Sequence, residues 1–275
     1  MNTRKILALI LLTGIISCKK HNIDNVPSYI TIESITLEEN TTHNITDAWV
    51  YIDDNLQGIY ELPANFPVLA SGKHKLRIKA GIKDNGIAAS RVQYPFYSSY
   101  IEEERLFNPD TTFAISPIIS YLESTSGHDN PENFEGLGLD LEIDSITFSI
   151  DNTNSLDGKY GVLHLSDSIV STTEITTKEL YNLPQEGAPV YLELDYRCNT
   201  EFSVGVYIHF PQSAVLQKTL IGLYPKEEWN KTYVNLTSTI SEAVGADFFK
   251  IFISMQRDTT IDTNTINFDN FKVVY

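Results

Sequence analysis

Thirty-six acidic side chains, six histidines and two cysteines are the groups in this 275-residue chain best able to do chemistry. The histidines, His21, His43, His74, His128, His164 and His209, are scattered, and no two sit at a metal-binding spacing. No His-Glu-x-x-His, no Gly-x-Ser-x-Gly and no phosphate-cradling glycine loop occurs. Glycoside hydrolysis needs only two carboxylates, so counting acids does not exclude it. Such enzymes usually build a deep cleft in a larger catalytic fold, which neither half of this chain resembles. Cys198 extends the apolar-alternating run Tyr191 to Tyr196, which makes it a buried strand thiol; a nucleophile would want a nearby histidine and an activating environment. Trp229, Tyr207, Tyr224 and Tyr233 offer flat rings that could stack on a pyranose. An aromatic in an alternating strand is more often half of a core pair.

The chain begins with a different kind of chemistry. Arg4 and Lys5 precede the apolar run Ile6 to Leu12, and Thr13 to Ser17 follow as a cleavage region, the layout of an export signal. A spanning helix needs about 20 apolar residues, so this run does not cross a membrane. Ile15-Ile16-Ser17-Cys18 resembles a bacterial lipobox. The resemblance implies cleavage after residue 17, thioether lipidation of Cys18 and acylation of its new amino group. Several acyl chains, at about 0.8 kcal/mol per buried methylene, give lasting attachment. Lys19-Lys20-His21-Asn22 follow the cysteine where surface-exported lipoproteins of Bacteroidota often carry acids. The periplasmic face and the cell surface are therefore both open.

Composition narrows the partners. Hydrophobic residues make up 42% of the chain and aromatic ones 11%, enough for real cores. The formal charge is −16, and losing Arg4 and Lys5 with the signal takes it to −18. That acid excess argues against nucleic acid, and against adhesion to anionic lipid by charge. Lipidation of Cys18 leaves Cys198 alone, so the mature chain has no internal disulfide.

The order of elements predicts an all-β protein of two β-sandwich domains in series. Residues 1–17 are the signal, 18–27 the lipidated tether, 28–123 an N-terminal β-sandwich, 124–133 a linker and 134–275 a jelly roll. In the first half, strand signals fall at Tyr29 to Leu37, Ala48 to Ile52, His74 to Ala80 and Thr112 to Tyr121. Asp53-Asp54-Asn55 turns a hairpin, Pro63 and Pro67 bound a crossing, and Gly72 turns into an alternating strand with basic residues facing water. This arrangement resembles PEGA-like and carboxypeptidase-regulatory-like domains, although the family's proline-glutamate-glycine-alanine core is missing. The trio Glu102-Glu103-Glu104 reads as a solvated loop or short helical turn. Ser124 to Asn133 holds no large apolar residue, which makes it the linker.

Strand-like runs in the second half lie at Ser145 to Ile150, Tyr160 to Leu165, Val190 to Arg197, Phe202 to Phe210, Lys218 to Tyr224, Lys231 to Leu236 and Phe248 to Met255. About eight strands at this spacing suit a two-sheet jelly roll. Phe134-Glu135-Gly136, Lys159-Tyr160-Gly161-Val162, Glu228-Trp229-Asn230-Lys231-Thr232-Tyr233 and Phe268-Asp269-Asn270-Phe271 together resemble galactose-binding-like, carbohydrate-binding-module-like jelly rolls. The resemblance implies glycan binding and a structural calcium, with Glu135 and Asp269 at its ligand positions. The expected function is that of an outer-membrane-anchored, non-catalytic binding lipoprotein whose named ligand is glycan. Its alternatives are docking onto an outer-membrane protein complex and, more distantly, a glycan-active enzyme.

Overall fold

The computed structural model describes residues 26–38, 41–166 and 170–275. Cys18 and the segment around it lie outside the described residues. The architecture is all-β, two β-sandwiches in series with one short helix, Thr237–Glu242, among the described residues.

The first sandwich pairs two layers. In one, β1 (Ser28–Ile32) lies between β5 (Ala64–Val68), antiparallel to it, and β9 (Thr112–Ile115), parallel to it. The short parallel pair β2 (Thr36–Leu37) and β10 (Ile118–Ile119) follows along the same two chain segments. The other layer runs β4 (Asn55–Glu61), β3 (Asp47–Ile52), β6 (Gly72–Lys83), with β7 (Arg91–Gln93) and β8 (Ser99–Phe107) both pairing β6. Alternation decides what is inside. Ile30, Ile32, Val50, Leu76 and Ile78 are all fully buried between the layers. The hairpin turns as the sequence predicts: Ile52 pairs Asn55, and Asp53 and Asp54 both have positive φ, 48° and 61°. The Asp53 carboxylate also accepts from the Lys75 amide at 3.0 Å and meets His74 Nδ1 at 2.6 Å, tying the turn to β6.

The acidic trio departs from expectation. Glu102, Glu103 and Glu104 lie within β8 rather than in a loop or helical turn. Opposite them stands the basic strand β6, and Lys73 pairs Glu104 at 2.6 Å while Lys75 reaches Glu103 at 3.7 Å. Cross-strand opposite charges favour the extended pairing over a solvated loop.

The second sandwich has two five-stranded antiparallel sheets. The first orders β11 (Leu141–Glu142), β14 (Thr172–Thr177), β19 (Phe248–Gln256), β16 (Phe202–His209) and β17 (Leu216–Leu223). The second orders β12 (Phe148–Asp151), β13 (Tyr160–Leu165), β20 (Asn264–Val274), β15 (Tyr191–Cys198) and β18 (Lys226–Asn235). Leu192, Leu194, Tyr196 and Cys198 point from β15 into the core between them. The thiol is buried as the alternation predicts, and burial pushes its pKa up.

On its other face β15 carries Tyr191, Glu193, Asp195 and Arg197. The first three are nevertheless buried, because the N-terminal half packs over that end of the sheet: Tyr191, Tyr233 and Val274 belong to the first half's apolar cluster. The segment 124–133 is also no free linker. Ser126 and Tyr275 exchange backbone hydrogen bonds at 2.6 and 3.1 Å, and Glu132 pairs Phe271 in the same way. A segment without large apolar side chains is held here by backbone pairing to the last strand.

Candidate functional site

Two groups of residues stand out, and they differ in character. The first is a buried polar cluster at the joint. Glu193 is fully buried on β15; one carboxylate oxygen lies 3.2 Å from Lys231 Nζ on β18 and 3.5 Å from Lys272 Nζ on β20. The other accepts from the hydroxyls of Tyr94, at 2.7 Å, and Tyr121, at 2.8 Å, both from the N-terminal half. Lys231 also lies 3.5 Å from Asp195, whose carboxylate accepts from Thr42 and from Asn270 Nδ2 at 3.0 Å. Two acids thus face two lysines. Burial alone would raise the Glu193 pKa, but the two ammonium groups and the tyrosine hydroxyls hold it below the usual carboxylate range. Both carboxylates are buried and bonded to groups of both halves, so the cluster's work is cohesion.

Tyr233, read from sequence as a ligand contact, belongs here. It is 1% exposed, its hydroxyl accepts from the Asn44 amide at 3.0 Å, and Tyr97 lies 3.2 Å from it. The strand alternation that turns it away from the jelly-roll core turns it toward the other half instead of toward water.

Asp269 sits at the margin of the cluster and is 2% exposed. Burial, with Asp195 and Glu135 as neighbouring negative charges, carries its pKa up to about 7 against the pull of the Asn270 amide. A folded-state pKa raised above the unfolded one means stability present at low pH that is lost as pH rises through the folded value. Asp269→Asn should therefore stabilise the protein by about 1–2 kcal/mol at pH 8 and leave it unchanged near pH 4. The gain falls short of the full shift because asparagine cannot keep the attraction to Lys231. Thermal midpoints at the two pH values check this, and equal effects at both would contradict it.

Glu135 and Asp269, the two positions read as calcium ligands, each have other partners here. The Glu135 carboxylate accepts from the Lys159 amide and lies 3.8 Å from the Lys159 ammonium, while Asp269 accepts from the Asn270 amide at 2.7 Å. Among the described residues no three His, Cys, Asp or Glu side chains could hold a metal ion, and calcium requires six or more oxygens. Glu135 closes the turn before β13, and that is the role the geometry gives it.

The second group lies at one loop end of the jelly roll, where the β15–β16, β17–β18 and β19–β20 connections meet. Tyr224 stands in the β17–β18 turn with 68% of its surface exposed. Proline follows it and terminates the pairing, so the ring projects from the end of the sandwich. A groove of about 530 Å³ runs between Tyr224, Glu201, Ser254 and Arg257. Another, of about 460 Å³, lies beside Pro225 between Arg197, Lys226 and Asn267. Arg257 and Arg197 each present a buried Nε–H with no hydrogen-bond partner among the described residues. Neither Asp195 nor Asp269 lines these grooves; the acids that do are Glu201 and Asp258 in the first and Glu227 in the second.

Trp229 is half-buried nearby. Its indole N–H donates to Asn154 O at 3.0 Å, Tyr160 packs edge-on at 5.3 Å, and the Arg197 guanidinium lies 5.0 Å over its ring. Arg197 also donates to Thr153 O at 3.1 Å, so the three side chains together pin the β12–β13 loop. Tyr207 is remote from both, on the opposite sheet, where its hydroxyl donates to Glu174 at 2.9 Å. The four aromatics named from sequence are therefore not one platform. Arg197 and Arg257 went unnamed, since an arginine in a polar stretch carries no sequence mark of lacking a partner.

Fold and site together describe an all-β protein with an exposed ring beside a polar groove at the end of a jelly roll. No family description matches the chain, and no curated protein does. Among solved structures it is similar to a xylan-binding CBM22-2 domain of Xyn10C from Paenibacillus barcinonensis, at 10% identity over 52% of this chain and 97% of that one, with a TM-score of 0.39. A structure titled for the promiscuous specificity of β-sandwich carbohydrate-binding modules aligns at 14% identity over 91% of this chain and 98% of that one, with a TM-score of 0.41. A family 30 carbohydrate-binding module aligns at 16% identity over 49% and 77%, with a TM-score of 0.39. These three are carbohydrate-binding modules; at these scores the functional reading rests on the geometry.

Proposed function

We propose that this chain is a non-catalytic glycan-binding lipoprotein, held at the outer membrane by lipid on Cys18 and binding through the loop end of its jelly roll. The observation that carries the reading is the exposed Tyr224 ring at the edge of the polar groove lined by Glu201, Ser254 and Arg257, where the Arg257 Nε–H has no hydrogen-bond partner among the described residues. A flat ring can take the apolar face of a pyranose, and the flanking donors can take its hydroxyls. Trp229 supports the loop and is not the contact.

Binding of the full-length lipoprotein in detergent to a panel of plant, host and bacterial glycans tests this. At least one glycan should bind, and Tyr224→Ala should weaken it about 3- to 10-fold at an unchanged unfolding midpoint, the range expected for one aromatic contact. A blank panel, or affinity indifferent to Tyr224→Ala, would overturn it. Docking onto a protein complex has one observation of its own: β4 closes its sheet as an edge strand with Leu56 and Ile59 exposed. Capture of one defined outer-membrane partner, lost on Leu56→Lys, would favour that second reading.

A further inference from the structure

Tyr224 also borders a second space, a cleft of about 400 Å³ between the two halves of the molecule. Its origin lies in the edge strands. β17 and β18 close their sheets on the same side of the sandwich, and the positions of β18 that face the core are Asn230, Thr232 and Val234, paired with Tyr196, Leu194 and Leu192. Two of the three are polar where the neighbouring strand is mainly apolar. The edges are therefore not sealed by packing. The β6–β7 connection of the N-terminal half covers the opening: Asn85 N–H donates to Tyr233 O at 2.9 Å, and the Asn235 N–H donates to Asn85 Oδ1 at 2.8 Å.

Three features of the cleft point to a ligand. Thr232 is 2% exposed and lines the cleft, yet its hydroxyl has no hydrogen-bond partner among the described residues. A buried hydroxyl left unmatched costs about 1–3 kcal/mol, which a bound polar molecule would recover. Gly86 stands directly over it; a Cβ there would lie 3.4 Å from the Thr232 oxygen, in a backbone of φ +68°. Finally, in a chain of net charge −16 no aspartate or glutamate lines this cleft, whereas Lys83, Lys226 and Lys231 do; Lys231 is paired with Glu193 and Asp195 behind it, but the ammonium groups of Lys83 and Lys226 have no carboxylate partner among the described residues. A pocket with two free cations, an orphan hydroxyl and the edge of an exposed ring selects a small anion that also carries hydroxyls.

We propose that the cleft binds the carboxylate-bearing end of an acidic sugar, of the hexuronate class, with Lys83 and Lys226 on the carboxylate and Thr232 on a ring hydroxyl. The proposal rests on the glycan reading only for the ring of Tyr224 at its mouth; the cleft itself is built by both halves.

Calorimetric titration of the full-length lipoprotein in detergent with galacturonate, glucuronate and their short oligomers tests it, with galactose, glucose, acetate and inorganic phosphate as comparisons. An acid sugar should bind about tenfold or more tighter than its neutral counterpart, the effect of a charge-assisted contact. The surface pair Lys83→Gln and Lys226→Gln should abolish that preference, and Thr232→Val, close in shape, should weaken the acid sugar several-fold with no loss of unfolding midpoint. Equal affinity for acid and neutral sugars, a preference that survives the lysine pair, or equally tight binding of acetate or phosphate would overturn it. Neutral glycans that bind and respond only to Tyr224→Ala would leave the glycan reading standing and remove the cleft. Acid sugars that respond to Lys83, Lys226 and Thr232 but not to Tyr224→Ala would do the reverse.

Discussion

Glu193→Ala should cost the fold about 3–5 kcal/mol, the range for removing one partner of a buried ion pair. The residue is fully buried, and it is the shared acceptor of two lysines and two tyrosines. Its loss leaves Lys272 facing the Tyr121 hydroxyl and the His128 carbonyl without a countercharge. Lys231 would retain Asp195, at 3.5 Å, and the Thr42 hydroxyl, at 3.3 Å. The pair as a whole is not expected to be worth that much. A variant with Glu193→Leu, Lys231→Met and Lys272→Met together should lie much closer to the starting stability, since apolar replacements of buried ion pairs are often neutral or better. Chemical denaturation of both variants separates the two statements, and the near-ultraviolet signal of the surrounding tyrosines reports the joint directly. A single-variant cost below about 1 kcal/mol would mean that water reaches the cluster. Because the folded-state pKa of Glu193 is lowered, its contribution is present at neutral pH and disappears as acid titrates through that lowered value.

The second large effect is expected at Gly127. A Cβ there would lie 2.0 Å from the Val273 carbonyl oxygen, a backbone atom that cannot swing aside, and the glycine has φ +79°. Gly127→Ala should destabilise by about 2–4 kcal/mol, combining a strained backbone with a forced shift of β20. Asp129→Ala, two residues on and exposed, should stay within about 0.5 kcal/mol. The contrast in thermal midpoint distinguishes a seam of the structure from a linker, in which both substitutions would be silent.

Local chemistry was readable from sequence where one strand and its own turn decide the outcome. The Asp53-Asp54-Asn55 hairpin, the alternation of β6 and the core positions of β15 all follow from period and turn residues alone. β14 was missed because its sequence, Thr-Thr-Glu-Ile-Thr-Thr, lacks an apolar face. It is a strand because Thr173 meets the Thr147 hydroxyl at 2.5 Å and the Thr177 hydroxyl accepts from the Ile251 amide at 3.0 Å, both bonds to distant segments. The joint escaped for the same reason. Alternation places Glu193, Lys231 and Tyr233 on the sheet face away from the jelly-roll core, and water is the ordinary expectation there. Only the packing of Tyr94, Tyr97 and Tyr121, about 70 to 140 positions away in the chain, turns that face into an interior.

The covering of that face also has a consequence for any polymer laid across it. The N-terminal half stands over the Tyr191, Glu193 and Asp195 end of the sheet, with Thr42 and Asn44 at its margin, while the Arg197 end is left free. A chain crossing the strands past Arg197 runs beside a wall. On the proposed glycan reading its substituents would project on one flank alone, branching on the other flank would be sterically refused, and decoration pattern would count for as much as the identity of the sugar.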